Sequence, residues 1–451
     1  MNTALSRRHL LGAISAAAGT IAIPAFAQET APKRILLRNV RIFDGVASRL
    51  TGGHVLIEGK LIKAVSASPL PEDGARVIEG RGRVLMPGLT DAHWHMTSAA
   101  ATFADFGGFD LGMVYAKSVA EAERTLMRGF TTVRDVGGPV FGLKAAIDAG
   151  VVPGPRCFPS GALISQTGGH NDHSAPYAVP RALGGEPSHL EMAGQSVVAN
   201  GPAEVLAAVR DQLRKGASQI KLTLGGGVIS DYDPIDSIQF LPEELRVAVQ
   251  AARDWGTYVA AHVYTSAGIR RALEGGVLSI EHGHLADEAT IALIAEKGAW
   301  LSTQALEPGD NSLSPAQLAK VTSSGMVGSW RPTLERARKH GAKLAFGTDL
   351  LFQPPGRTME NTMLTRFAEV LGNAEALRIA TSGNCELFAQ SGPRNPYARA
   401  PLGVIRSGAW ADLLLVDGDP LADIQVLARP DTALRMIIKD GIIVKQLADP
   451  A

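Results

Sequence analysis

Cysteine is nearly absent from this 451-residue chain: Cys157 and Cys385 are the only two. That excludes a cysteine-built metal cluster and a disulfide framework. Each of the two lies in an apolar stretch, so although an oxidising compartment would permit a bridge, two buried free thiols are expected. An excess of charge of one sign is missing as well. Lys plus Arg and Asp plus Glu number 44 each, which gives no reason to expect nucleic acid or an anionic membrane as partner. The alanine-rich apolar run near the front, residues 10–23, is too short to favour a membrane span, and no stable membrane insertion is expected. It follows the twin-arginine pattern Ser6-Arg7-Arg8-His9-Leu10-Leu11 and precedes Ala25-Phe26-Ala27, small residues of the kind a signal peptidase reads. The expectation is a leader over residues 1–27, a mature start near Gln28, and a periplasmic or secreted protein. Losing the leader removes Arg7 and Arg8 and no acidic residue, so the mature chain stays close to neutral.

Past the leader, residues 33–82 read as short strands and turns. Ile35-Leu36-Leu37 and Val40-Arg41-Ile42-Phe43 precede the turn Asp44-Gly45, and a hairpin is expected around Glu58-Gly59-Lys60. The far end has the same character. Leu413-Leu414-Leu415-Val416 is followed by Leu434-Arg435-Met436-Ile437-Ile438, the turn Lys439-Asp440-Gly441 and Ile442-Ile443-Val444. Neither stretch is long enough for a core of its own, so the pattern predicts one small β-sandwich built from both termini, 28–86 and 398–451. Between them, over 87–397, a unit repeats in which a helix ends at glycine and an apolar strand starts at once. The glycines are Gly129, Gly216, Gly256, Gly276, Gly298 and Gly341, and glycine favours the left-handed conformation that ends helices. With a strand leading into Asp91-Ala92-His93-Trp94-His95 and another near Arg156-Cys157-Phe158, eight alternating β/α units result. That predicts an α/β fold, a (β/α)8 TIM barrel, over the alternative of an open doubly wound sheet.

His93 and His95 are two apart, so in an extended strand both imidazoles reach the same side and make half a metal site. A histidine pair hydrogen-bonded beneath a loop would look the same, so the choice depends on further ligands. Four other apolar strands finish on polar side chains: Lys221, His262, His282 and Asp349. In a barrel all C-terminal strand ends converge on one face. The six together point to a metal centre. Lys221 is the most informative, because burial beside cations depresses an ammonium's pKa, and a neutral amine reacts with carbon dioxide to give a carbamate able to bridge two metals.

The segments PGLTDAHWH, SQIKLTLGGG, AAHVY, SIEHG, FGTD and ADLLLVDGDPLADI resemble the amidohydrolase superfamily over essentially the whole mature chain. The branch is the one named after imidazolonepropionase, which includes Xaa-Pro dipeptidases and ochratoxin-type amidases. The resemblance implies two divalent metal ions, usually Zn2+. His93, His95 and Asp349 would hold one, His262 and His282 the other, and carboxylated Lys221 would bridge. Two cations sharing a water lower its pKa and polarise the scissile carbonyl, while Asp349 carries the proton to the leaving nitrogen. His170, in Gln166-Thr167-Gly168-Gly169-His170, resembles the histidine that contacts the carbonyl oxygen, and Tyr264 a residue that binds the substrate carboxylate. Residues 171–200 have the size of a lid, and 225–234 and 351–357 flank the site. No role follows for His173, His284 or Arg357, and His54, His189 and His340 read as structural or exposed. The implied activity is metal-dependent hydrolysis of the amide before a carboxy-terminal amino acid, in dipeptides, N-acyl amino acids or amides such as ochratoxin A, by a homo-oligomer. Cyclic-amide hydrolysis of the imidazolonepropionase or hydantoinase kind, and a non-catalytic binding protein on the same fold, are the alternatives.

Overall fold

Along the strands Val84–Pro87 and Leu413–Val416, successive side chains point to opposite faces. Leu85, Leu413 and Leu415 pack with Ile35, Leu37, Val55 and Ile438 in one buried cluster, whereas Val84, Met86, Leu414 and Val416 enter the main core. Val84–Pro87 runs parallel to Arg34–Ile42 and antiparallel to Leu413–Val416, and so splices strands from both ends of the chain into one eight-stranded sheet. The expected hairpins are present, Thr51–Glu58 with Leu61–Ser66 and Leu434–Lys439 with Ile442–Gln446. The structure, a computed structural model, describes residues 34–448 apart from 109, 231, 308–309, 311–312 and 353–358. The anticipated leader and Arg357 lie outside the described residues.

Between the terminal strands, helices alternate with strands whose pairings are all parallel. Leu89–Trp94, Phe130–Asp135 and Arg156–Pro159 form a three-stranded sheet. Ile220–Thr223, Val259–Thr265, Ser279–Leu285, Trp300–Thr303 and Lys343–Phe346 follow in order within a seven-stranded sheet. These are the eight strands the glycine pattern indicates. Two short additions at the edge of the larger sheet, Leu163–Ser165 and Ser196–Val198, have only three residues each, too few to show a period. Backbone hydrogen bonds join the two parallel sheets. Asp349 N donates to His93 O at 2.8 Å, and Ser218 N donates to Pro159 O at 2.7 Å.

Gly216 and Gly276 end the helices Gly201–Lys215 and Ser266–Gly275 with φ of 104° and 90°, left-handed values that let the chain turn directly into the next strand. Because every return is helical and every pairing parallel, the C-terminal strand ends lie along one side. Cys157 is buried, Cys385 only partly so, and both are free thiols. Among the described residues no helix is long and apolar enough to cross a membrane.

Candidate metal centre and active site

The six side chains singled out above come together at these strand ends. His93 lies on Leu89–Trp94 with His95 just beyond, Lys221 on Ile220–Thr223, His262 on Val259–Thr265 and His282 on Ser279–Leu285. Asp349 follows Lys343–Phe346. The four histidines and Lys221 are buried. His282 and Asp349 have φ of 77° and 54°, a region that residues bearing a Cβ seldom occupy and that concentrates at functional sites.

Hydrogen-bond partners assign the proton on each imidazole. His93 Nδ1 faces Glu281 Oε2 at 2.8 Å, and His95 Nδ1 faces the carbonyl of Gly137 at 2.9 Å. His262 Nε2 faces Gly226 O at 3.1 Å, and His282 Nδ1 faces Gln304 Oε1 at 2.7 Å. Each of those oxygens can only accept, so each of those nitrogens carries the hydrogen; Gln304 is oriented by its own amide donating to Ser302 O. The other nitrogen of each ring is therefore a bare lone pair. His93 Nε2 and His95 Nε2 lie 3.3 and 3.2 Å from Asp349 Oδ1. His262 Nδ1 and His282 Nε2 lie 2.7 Å from each other. Two lone pairs at that distance repel unless a cation comes between them. The His93 and His95 nitrogens beside Asp349, with the facing His262–His282 pair, form a donor set suited to divalent metal, and His93, His282 and Asp349 offer ligand atoms within 4.8 Å of one another.

Burial lowers the pKa of Lys221 to about 8, against the pull of Glu281 and Asp349. Its Nζ lies 3.4 Å from His93 Nε2. Burial drives the pKa values of His262 and His282 well below that of a free imidazole, which favours the neutral, ligating form.

Several supporting residues escaped the sequence reading. Glu281 bonds His93 on one side and Arg134 on the other, at 2.7 Å, with both side chains of that ion pair fully buried. Asp91 accepts from His93 N at 2.8 Å and from the Thr348 hydroxyl at 2.5 Å; burial raises its pKa to about 8. Asp135 accepts from Met96 N at 2.7 Å and shapes the turn that carries His95. A charge inside an apolar strand must have a buried partner. Glu281 in SIEHG and Arg134 in TTVRD carried that signal, although the sequence does not say which residue answers it.

His170 enters the site from the loop after Leu163–Ser165. Its ring stacks on His262 with centroids 4.1 Å apart, and its Nδ1 meets Ser230 Oγ at 2.5 Å. Burial pushes its pKa well below that of free imidazole. Gly227 permits this approach, since a Cβ there would lie 1.8 Å from His170 Nδ1. Tyr264 packs edge-on to His262 at 4.8 Å. His93, His95, His262, His282, Asp349, His170 and Tyr264 line one cavity of 470 Å³, together with His173 and His284. The apolar side chains Phe103, Leu190, Leu318, Val321, Met326 and Phe352 line it as well. Leu190 comes from the anticipated lid segment, which holds the short helix His189–Met192. The helix Pro315–Ser323, with Leu318 and Val321, was not foreseen, though Ser314-Pro315 is a helix-start signal. Away from the site, His189 and His340 bond Gly107 O and Glu288.

Residues 84–444 match the family model described as the amidohydrolase family. The chain belongs to that family. The amidohydrolase is 32% identical over 425 residues to ochratoxinase from Aspergillus niger, an alignment covering 90% of this chain and 85% of the relative. In structure it is similar to a prolidase solved with N-methylphosphonate-L-proline, at a TM-score of 0.84 and 35% identity, over 92% of this chain and all of that one (100%). A Xaa-Pro dipeptidase with bound methionine superposes at a TM-score of 0.76 and 30% identity, over 91% and 100% of the two chains. The family is metal-dependent, and this amidohydrolase is a hydrolase of carbon–nitrogen bonds.

Proposed function

We propose that this amidohydrolase cleaves the amide before a carboxy-terminal amino acid in small substrates bearing a free carboxylate, dipeptides and N-acyl amino acids, including ochratoxin-type amides. The observation that carries the reading is the group of four buried histidines with Asp349, two of them beside its carboxylate and two facing each other, in a cavity also lined by apolar side chains. The likeness to ochratoxinase and to the two dipeptidases supports the substrate class. In this reading His93, His95 and Asp349 would hold one divalent ion and His262 and His282 a second, and zinc is the ion to supply first. Lys221, as its neutral amine, would add carbon dioxide at Nζ and release one proton, giving a carbamate whose oxygens would join the metal-binding set.

When bound, such ions activate water and polarise a carbonyl. Asp349 Oδ2, the oxygen not engaged by His93 and His95, takes the proton of the attacking water and delivers it to the leaving nitrogen. His170, neutral and with Nδ1 engaged by Ser230, presents Nε2 to the carbonyl oxygen. Tyr264 donates its hydroxyl to the substrate carboxylate. The two linked parallel sheets are read as one (β/α)8 barrel and the terminal sheet as a β-sandwich folded on its own core. Export through a leader over 1–27 and assembly as a homo-oligomer belong to the same proposal.

The test is release of free amino acid by the metal-reconstituted protein from Xaa-Pro and Xaa-Phe dipeptides, N-acyl-phenylalanines including ochratoxin A, and a cyclic amide. Release of the carboxy-terminal residue, lost in Lys221→Ala, supports the reading. Turnover of the cyclic amide alone overturns it in favour of ring opening.

A further inference from the structure

The substrate cavity has a polar corner that the chemistry above does not use. His284, two residues past His282, lines the cavity. Its Nε2 faces the carbonyl of Gln304 at 3.1 Å and so carries the ring hydrogen. Its Nδ1 is consequently an acceptor, and it is buried without a hydrogen-bond partner. An acceptor buried in that state costs free energy unless a ligand supplies a donor. Three residues beyond Gln304, Glu307 lines the same cavity. Glu307 Oε1 accepts from Trp330 Nε1 at 3.1 Å. The Arg366 guanidinium bonds Asp310 and Ala305 O and feels Glu307 only through its field, and among the described residues Glu307 has no cation at salt-bridge distance. No lysine or arginine lines the cavity among the described residues, and Glu307 is its one carboxylate outside the metal donors.

Both groups descend from adjacent strands, Ser279–Leu285 and Trp300–Thr303, and both are tied to Gln304, whose side chain orients His282 at 2.7 Å. Both side chains line the cavity that holds the site histidines. An unpartnered lone pair and a carboxylate with no salt-bridged cation among the described residues make a recognition corner for an N–H-rich cation.

We propose that Glu307 and His284 form a subsite for the protonated α-amine of the substrate's amino-terminal residue, so that dipeptides are preferred over N-acyl amino acids that lack the amine. The inference rests on the amide-cleaving reading and narrows its substrate class. It places the α-ammonium at the Glu307 corner. The carboxylate, repelled by Glu307, stays at the opposite end of the ligand.

The experiment compares two ligands that differ only in the amine, leucyl-phenylalanine and 4-methylpentanoyl-phenylalanine, with the metal-reconstituted enzyme. The expected result is a kcat/KM ratio favouring the dipeptide by on the order of tenfold to a hundredfold, the range of a charge-assisted hydrogen bond. Glu307→Gln collapses that ratio towards one, Glu307→Asp retains part of it, and His284→Leu reduces it. A wild-type ratio near one, or a ratio unmoved in Glu307→Gln, overturns the subsite while leaving the amidase reading intact. If neither compound is hydrolysed, the amidase reading fails. Calorimetric affinities of the two compounds for the same metal-reconstituted protein then decide the subsite by the same ratio.

Discussion

Replacing Glu281 with Gln separates the buried framework of the site from its chemistry. Glu281 and Arg134 are fully buried side chains. The guanidinium bonds Ala92 O at 2.5 Å, Ser279 Oγ at 3.2 Å, Tyr258 OH at 3.3 Å and Glu281 at 2.7 Å, so among the described residues Glu281 is the only anion touching it. In Glu281→Gln the neutral amide keeps an oxygen for Arg134 but removes its counter-charge. Breaking one side of a buried ion pair costs about 3–5 kcal/mol, and retention of an acceptor puts this substitution near the lower end, about 3 kcal/mol. Against a total stability of roughly 5–15 kcal/mol, urea unfolding of the chelator-treated protein resolves a loss of that size. Arg134→Met strands Glu281 in the same way. The double variant strands neither charge and should lose at least about 2 kcal/mol less than the sum of the singles.

The same substitution acts on the metal. His93 Nδ1 donates to Glu281 Oε2 at 2.8 Å, and a carboxylate behind a ligating imidazole fixes its tautomer and strengthens its lone pair. Removing such a partner weakens metal affinity roughly 10–100-fold, read by competition with a chromophoric chelator. A stability loss under about 1 kcal/mol with additive singles would refute the argument, because it would mean that the pair is hydrated in the folded protein.

Gly227→Ala should lower kcat with little change in thermal stability, because the added Cβ, 1.8 Å from His170 Nδ1 as the loop stands, forces the ring or the loop aside. A misplaced catalytic group costs on the order of a hundredfold, and steady-state kinetics checks it. Lys221→Ala should bind less metal per chain and lose hydrolysis, and addition of short carboxylic acids should restore part of both; elemental analysis and rates measure the outcome. Glu360 provides a pH test away from the site. Burial raises its pKa to about 7 even though Arg128 bonds it, from an ordinary 4.5. The folded state therefore holds a proton that the unfolded chain releases earlier. Its contribution to stability is full below pH 4.5 and lost as the pH rises through about 7. Urea unfolding between those limits should show a fall in stability that Glu360→Gln flattens.

The division between what the sequence made legible and what it did not follows the range of the interactions. His93, His95, Lys221, His262, His282 and Asp349 are readable because each is a polar residue within or just past an otherwise apolar strand, a local signal, although Lys221, His262 and His282 lie inside their strands rather than at the last residue; parallel topology then brings them together. The shared terminal sheet is readable for a related reason: Val84–Pro87 and Leu413–Val416 are each the short continuous apolar run of a strand with two buried faces. Glu281 is different. It precedes His282 and looks like the outward partner of a strand-end histidine, yet it bonds His93, 188 positions away. No local pattern contains that pairing; it follows only once the two sheets meet at Asp349 N and His93 O. Glu307 and His284 were hidden for the same reason, since a carboxylate in a loop and an unassigned histidine acquire meaning only from the cavity they share. The proposed metal ligands are thus set by the strands, while the groups proposed to choose among substrates are set by how the chain beyond those strands folds back, and it is in the second class that chains carrying the same six side chains can differ.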